Sequence, residues 1–287
     1  MSKASPPVVF ITGATSGIGY QTALQLAVKD FEVIFTGRNE QKVRATLDAL
    51  QTVNPRREHR GYVAELTLVK EAERLANQLL RDLVRLDVII SNSGAVYTRR
   101  QETSEGLEYT FALNHMAPFV LVRRLIPLLR QNGGGRVVMV SSHSHYSARL
   151  DLDDLQAKKG YSALRQYANT KMMNILFANA LDRRYGQEGI RANSLHPGVV
   201  RTGIGYKHSH IPGRVAWWLF TRFKGISVEA GARTPVFLAT APDGIEKGGK
   251  YYSNCREKQP HPLVLNLNLQ EALWARSETI EQEIMSK

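Results

Sequence analysis

Two periodicities alternate along this chain. Short apolar runs recur, and between them apolar residues return at helical spacing. Residues 7–12 (PVVFIT), 32–36 (EVIFT), 87–91 (DVIIS), 136–141 (RVVMVS) and 190–195 (IRANSL) read as strands, with a weaker one at 59–63 (HRGYV). Helices are predicted over 17–29, 40–53, 69–84, 107–130 and 164–184. In 69–84 the positions Ala72, Leu75, Ala76, Leu79, Leu80 and Leu83 gather on one helical face. Strand–helix alternation implies parallel strands joined by crossover helices. Strands that are apolar on both faces imply a sheet covered on both sides. The pattern therefore predicts an α/β fold, a doubly wound parallel sheet with helices on both faces.

Two stretches break the alternation. Residues 143–160 are polar and lie between a strand and a helix, and 203–225 mix basic residues with Trp217, Trp218, Phe220 and Phe223. Long excursions in open α/β folds usually sit near the ligand. Within the second, residues 215–224 read first as a substrate lid. A contact with lipid head groups comes next, and a helix packed on the domain is the bland alternative.

Composition narrows the picture. Nothing rich in Pro, Gly or Ser divides the 287 residues, so one domain over 1–287 is expected. A net charge of +12 favours anionic partners, although a basic solvated surface explains most of it. The chain lacks zinc-finger, RNA-recognition and basic-zipper signatures, and no nucleic-acid partner is expected. Cys255 is the only cysteine, which excludes an intramolecular disulfide. The first residues lack the apolar run of a signal peptide or anchor, and no spanning helix is predicted. A cytoplasmic protein, with peripheral membrane contact left open, is the expectation. His143, His145 and His196 lack a carboxylate constellation and read as loop histidines, so no metal is predicted.

The candidate chemistry begins where the first strand ends, in Thr12-Gly13-Ala14-Thr15-Ser16-Gly17-Ile18-Gly19. A glycine turn entering a helix lets backbone approach a diphosphate, and the helix N-terminus offers free N–H groups. Such a Rossmann-type arrangement usually carries an acidic residue after the second strand, for the ribose 2′-hydroxyl of NAD. Here Arg38 stands there, suited to a 2′-phosphate, and NADP(H) is expected over NAD(H). Further on, Tyr167 and Lys171 share a helical face. A phenol titrates near ~10. A neighbouring ammonium and a positively charged nicotinamide favour the phenolate, so a lowered value is expected at Tyr167.

Thr12-Gly13-x-x-x-Gly17-x-Gly19, Asn92-Ser93-Gly94, Asn114, Ser141-Ser142, Tyr167-x-x-x-Lys171 and Pro197-Gly198-x-Val200-x-Thr202 follow one another in order. That order resembles the short-chain dehydrogenase/reductase superfamily over about residues 8–202. The tail Gly249-Lys250-Tyr251-Tyr252-Ser253-Asn254-Cys255, Leu273-Trp274 and the long spacer from Ser142 to Tyr167 look like the retinol dehydrogenase branch. The resemblance implies an oxidoreductase that interconverts a carbonyl and its alcohol by hydride transfer, with a lipophilic, retinoid-like substrate. Tyr167 would be the acid/base, Lys171 would hold the nicotinamide ribose and Ser142 would bind the substrate oxygen. Asn114 would hold a water of the proton relay. Cofactor contacts are implied for Gly13, Thr15, Ser16, Gly17, Ile18, Gly19, Arg38, Asn92, Gly94, Tyr167, Lys171, Pro197, Val200 and Thr202. Glu65, where relatives usually carry Asp, and Leu66 would meet the adenine. Trp217 and Trp218, with Ser142 and Tyr167, are the expected substrate contacts. Many relatives form dimers or tetramers, so a homo-oligomer is open. The competing reading, a cofactor-binding regulatory or scaffold protein without useful turnover, sits poorly with an intact Ser142, Tyr167 and Lys171.

Overall fold

The computed structural model describes residues 5–200 and 225–287. Eight strands form one sheet in the order β3-β2-β1-β4-β5-β6-β7-β8. Here β1 is Val8–Thr12, β2 Glu32–Gly37, β3 Arg60–Val63, β4 Val88–Ser91, β5 Gly135–Val140, β6 Ile190–His196, β7 Tyr251–Ser253 and β8 Arg256–Lys258. All pairings are parallel except β7 with β8. The chain reverses its direction of travel across the sheet between β1 and β4, which opens a crevice at their carboxyl ends. The doubly wound α/β architecture expected from the sequence is the one observed.

The helices are α1 (Gly17–Val28), α2 (Glu40–Val53), α3 (Val69–Asp82), α4 (Ala117–Gln131), α5 (Ala163–Tyr185), α6 (Val228–Thr240), α7 (Asp243–Glu246) and α8 (Leu267–Met285). Side chains alternate across each strand and feed two cores. Phe10, Ile34, Ile89, Val137 and Met139 pack with α3, α4, α5 and α8. Val9, Ile11, Val33, Phe35, Ile90 and Val138 pack with α1, α2 and α6. This is why β1 is buried along its whole length.

Three features depart from the sequence pattern. The helix expected over 107–130 starts at Tyr109, widens into a π turn at Ala112–Met116 and continues as α4. Residues 143–160 contain a 3₁₀ turn at His143–Ser147. The β7–β8 hairpin and α8 lie beyond the stretch where alternation was readable. The excursion at 203–225, with Thr202, Trp217 and Trp218, lies outside the described residues apart from Gly225. Among the described residues no helix is long and apolar enough to cross a membrane.

Candidate active site

The glycine turn hangs between β1 and α1. The N–H groups of Gly13 and Ala14 both donate to Thr36 O, at 3.0 and 3.2 Å, which ties the turn to β2. Gly19 lets α1 press onto this turn, because a Cβ there would come within 2.5 Å of Gly13 O. Asn92 closes the other side: its Nδ2 donates to Thr12 O at 3.0 Å and Gly13 O at 3.2 Å. Asn92 therefore fastens the turn to the end of β4. Ser16 at the N-cap makes no side-chain capping bond, and the first turn of α1 carries no acid. The first N–H groups of α1 are thus open to an anion, with the helix dipole behind them.

A cavity of about 330 Å³ runs from this turn across the carboxyl ends of the strands. Gly13, Thr15, Ser16, Gly17, Ile18, Arg38, Glu65, Leu66, Asn92, Gly94, Tyr167, Lys171 and Pro197 line it, as the sequence suggested. Lys42, Tyr97, Ser93 and Leu113 line it as well, and the sequence did not single them out for it. For Lys42 a signal existed: it lies one helical turn after Arg38 at the start of α2. Arg38 interacts with the hydroxyl of buried Tyr97. Glu40, the first acid after β2, is paired with Arg44 at 2.6 Å on its own helix. Glu65 accepts from Thr67 N at 3.1 Å and Thr67 Oγ1 at 2.9 Å, which turns its carboxylate to its own loop. Val200 is not on the cavity wall; its side chain packs where a Cβ on Gly231 would meet it at 2.8 Å.

At the other end of the cavity β5 meets α5. Ser141 Oγ donates to Lys171 O at 2.6 Å, and Lys171 Nζ donates to Val140 O at 3.0 Å. Strand end and helix are stapled in both directions. Because Ser141 is committed, Ser142 is the serine left to face outward, as strand alternation requires. Ser142 Oγ accepts from Ser144 Oγ at 2.9 Å, and its own proton remains available to another acceptor. It also lies close enough to Tyr167 to favour its phenolate. Lys171 Nζ stands 5.6 Å from the centre of the Tyr167 ring, one helical turn away.

Burial dominates the titration of this group. It lowers Lys171 to about 8. It also raises the Tyr167 phenol, with the Ser142 hydrogen bond pulling the other way. The lowered phenol expected from the sequence is therefore not produced by the chain's own residues, because desolvation outweighs the help they give the phenolate.

Asn114 sits in the π turn and is fully buried. Its Nδ2 donates to Ala95 O at 3.0 Å and Thr170 Oγ1 at 3.1 Å, while Oδ1 accepts from Ala95 N at 2.9 Å. Both amide protons are spent on protein, so Oδ1 can offer only an acceptor. Gly94 separates it from Lys171: a Cβ there would meet Lys171 Nζ at 3.2 Å and Asn114 Oδ1 at 3.3 Å. His143 and His196 have ring centres 5.5 Å apart beside this region. Among the described residues no cluster of His, Cys, Asp or Glu is arranged to hold a metal.

Comparison with known proteins places this arrangement. Residues 7–210 match the short chain dehydrogenase family. Human retinol dehydrogenase 13 is 31% identical over 288 residues, covering 96% of this chain and 85% of that protein. Human polyprenol dehydrogenase is 33% identical over 283 residues, covering 94% of this chain and 83% of that protein. An uncharacterized protein of Mycobacterium Paratuberculosis, solved by crystallography, superposes with a TM-score of 0.75 at 26% identity, covering 96% of this chain and 95% of its own.

Proposed function

The chain belongs to the short chain dehydrogenase family, and from that premise we propose that it is an NADP(H)-dependent oxidoreductase that interconverts a lipophilic carbonyl compound and its alcohol. One observation carries the reading. Tyr167 and Lys171 stand at one end of a crevice that has the glycine turn and Arg38 at the other, with Ser142 in reach of Tyr167. The cradle fits a dinucleotide: Gly19 brings α1 onto the turn, and the first N–H groups of α1 are uncapped. Thr15, Ser16, Gly17 and Ile18 hold the diphosphate. Arg38 pairs with the 2′-phosphate; Glu40 is engaged with Arg44 and Glu65 with Thr67, so neither carboxylate is committed to Arg38. Pro197 flanks the nicotinamide half, Gly94 the adenosine-ribose wall and Leu66 the adenine; the backbone of Val200, whose side chain packs away from the cavity, would meet the nicotinamide amide, and Thr202 completes the expected set.

When bound, the nicotinamide supplies or takes up the hydride. The protein's own work is positioning and proton transfer. In reduction, Ser142 Oγ donates to the substrate oxygen and Tyr167 Oη gives it the proton that turns the carbonyl into an alcohol. Lys171 keeps a positive charge beside the phenol and favours the resulting phenolate. Asn114 supports the relay through its remaining acceptor and by fixing Ala95. Retinol dehydrogenase 13 and polyprenol dehydrogenase are both named for lipophilic alcohols, which supports a substrate of that kind. The apolar, aromatic and basic composition of residues 215–224 supports the same substrate class and a peripheral contact with lipid.

The deciding experiment is a screen of aldehydes and ketones, retinal included, with NADPH and NADH side by side. Turnover with NADPH that Tyr167→Phe abolishes in a folded protein is the expected result. Undiminished turnover in Tyr167→Phe would remove that residue from the acid/base role, and cofactor binding without turnover across the panel would favour a sensor.

A further inference from the structure

A second cavity, of about 740 Å³, opens at the opposite end of the sheet, where the strands begin. Its floor is the glycine-rich link Gly133-Gly134-Gly135 between α4 and β5, together with Gly189 before β6. Its charged lining is one-sided: Lys29, Arg85, Arg136 and Arg191 against the single carboxylate of Asp87. None of these residues belongs to the crevice described above.

The local acids do not neutralise this cluster. Asp87 accepts from Val8 N at 2.7 Å, from Arg85 Nε and Nη2 at 2.8 Å each, and from Asn132 Nδ2 at 2.5 Å. Its lone pairs are fully engaged and Arg85 is its ion-pair partner, while Arg136 feels its charge without contact. Arg191 reaches Asp182 only at 3.8 Å. Arg136 is half-buried, and its guanidinium makes one hydrogen bond, to Ala239 O. Among the described residues neither Arg136 nor Lys29 has an ion pair, and the Lys29 ammonium has no hydrogen bond. Helix C-termini ending here favour a cation each. That accounts for the guanidinium of Arg136, which reaches from β5 to Ala239 O in the last turn of α6, but not for the unused N–H groups of its fork in a cavity of ligand size.

We propose that this groove is a binding site for a phosphate-bearing small molecule of the diphosphate or oligophosphate class. Arg136 and Lys29 would supply the principal contacts, with Arg191 beside them. Planar guanidinium forks match phosphate oxygens in pairs, and the part-buried position of Arg136 strengthens each bond it makes to an anion. The inference does not depend on the cofactor or substrate assigned to the other end of the sheet.

Calorimetric titration of the full chain with inorganic pyrophosphate at near-physiological salt tests it, using wild type, Lys29→Gln, Arg136→Gln and Arg38→Ala, each saturated with NADPH so that the glycine turn is already filled. Saturable binding is expected, weakened about tenfold or more by Lys29→Gln or Arg136→Gln and retained in Arg38→Ala. Lys29 is exposed at the end of α1, so its variant reads the site even if Arg136→Gln folds poorly. Equal affinity in wild type and Lys29→Gln, loss confined to Arg38→Ala, or no saturable binding would each overturn the proposal.

Discussion

Arg38 is the residue on which the choice of dinucleotide turns. It follows β2 at the crevice, and the next acid along the chain, Glu40, is paired on its own helix. Arg38→Ala is expected to weaken NADPH binding by roughly 10–100-fold, the worth of charge-assisted hydrogen bonds to a phosphate, and to leave NADH binding nearly unchanged. Fluorescence titration with both cofactors reads this, and equal losses would contradict the 2′-phosphate role. Lys171 makes a different prediction. Its folded value is about 8 against an ordinary 10.5. Between those values the unfolded lysine is protonated and the folded one is largely neutral, so unfolding takes up a proton and stability rises with pH. Relative to Lys171→Met, the wild type should gain about 2 kcal/mol between about pH 7.5 and about pH 9.5 in urea unfolding. A constant difference between the two proteins would show that the ammonium is not held by burial.

At the scale of elements, the β7–β8 hairpin shows where sequence patterns run out. Its strands have three residues each, too short for a periodicity to declare itself. The turn places Asn254 and Cys255 at φ 51° and 58°, the geometry of a tight primed hairpin turn. Asn tolerates that region, whereas Cys is strained there. Cys255→Gly should therefore stabilise the protein by about 0.5–1 kcal/mol, part of the relieved strain being offset by the freer unfolded chain. A lower denaturation midpoint would contradict this. The longer elements were legible because burial on both faces leaves apolar runs that only strands of this length produce, as in β1 and β4. The π turn at Ala112–Met116 was not, since one extra residue in a helical turn leaves the apolar spacing of α4 almost intact. At the site, the ordered motifs led to the glycine turn, Tyr167 and Lys171. The engagement of Asn92 with Thr12 and Gly13, and of Asn114 with Ala95, was not readable, because both are contacts between residues distant in sequence.

At the scale of the whole molecule, the buried histidines set its behaviour in acid. Burial lowers His115 to about 3 and both His145 and His196 to about 4. In the unfolded chain each takes a proton near 6.5, so the unfolded state binds more protons below that value and stability falls as pH drops from about 6.5 toward 4. A loss of several kcal/mol over that window is expected in thermal or urea unfolding, and a flat profile would mean that these rings are hydrated. One border of the sheet has a consequence for how copies can meet. The last strand, β8, exposes Arg256, Glu257 and Lys258 one after another. A strand from another copy laid along that border would have to bring its backbone past three ionised side chains. Edge-to-edge pairing is disfavoured there, and a crowded solution of this protein has one fewer ready route to fibres.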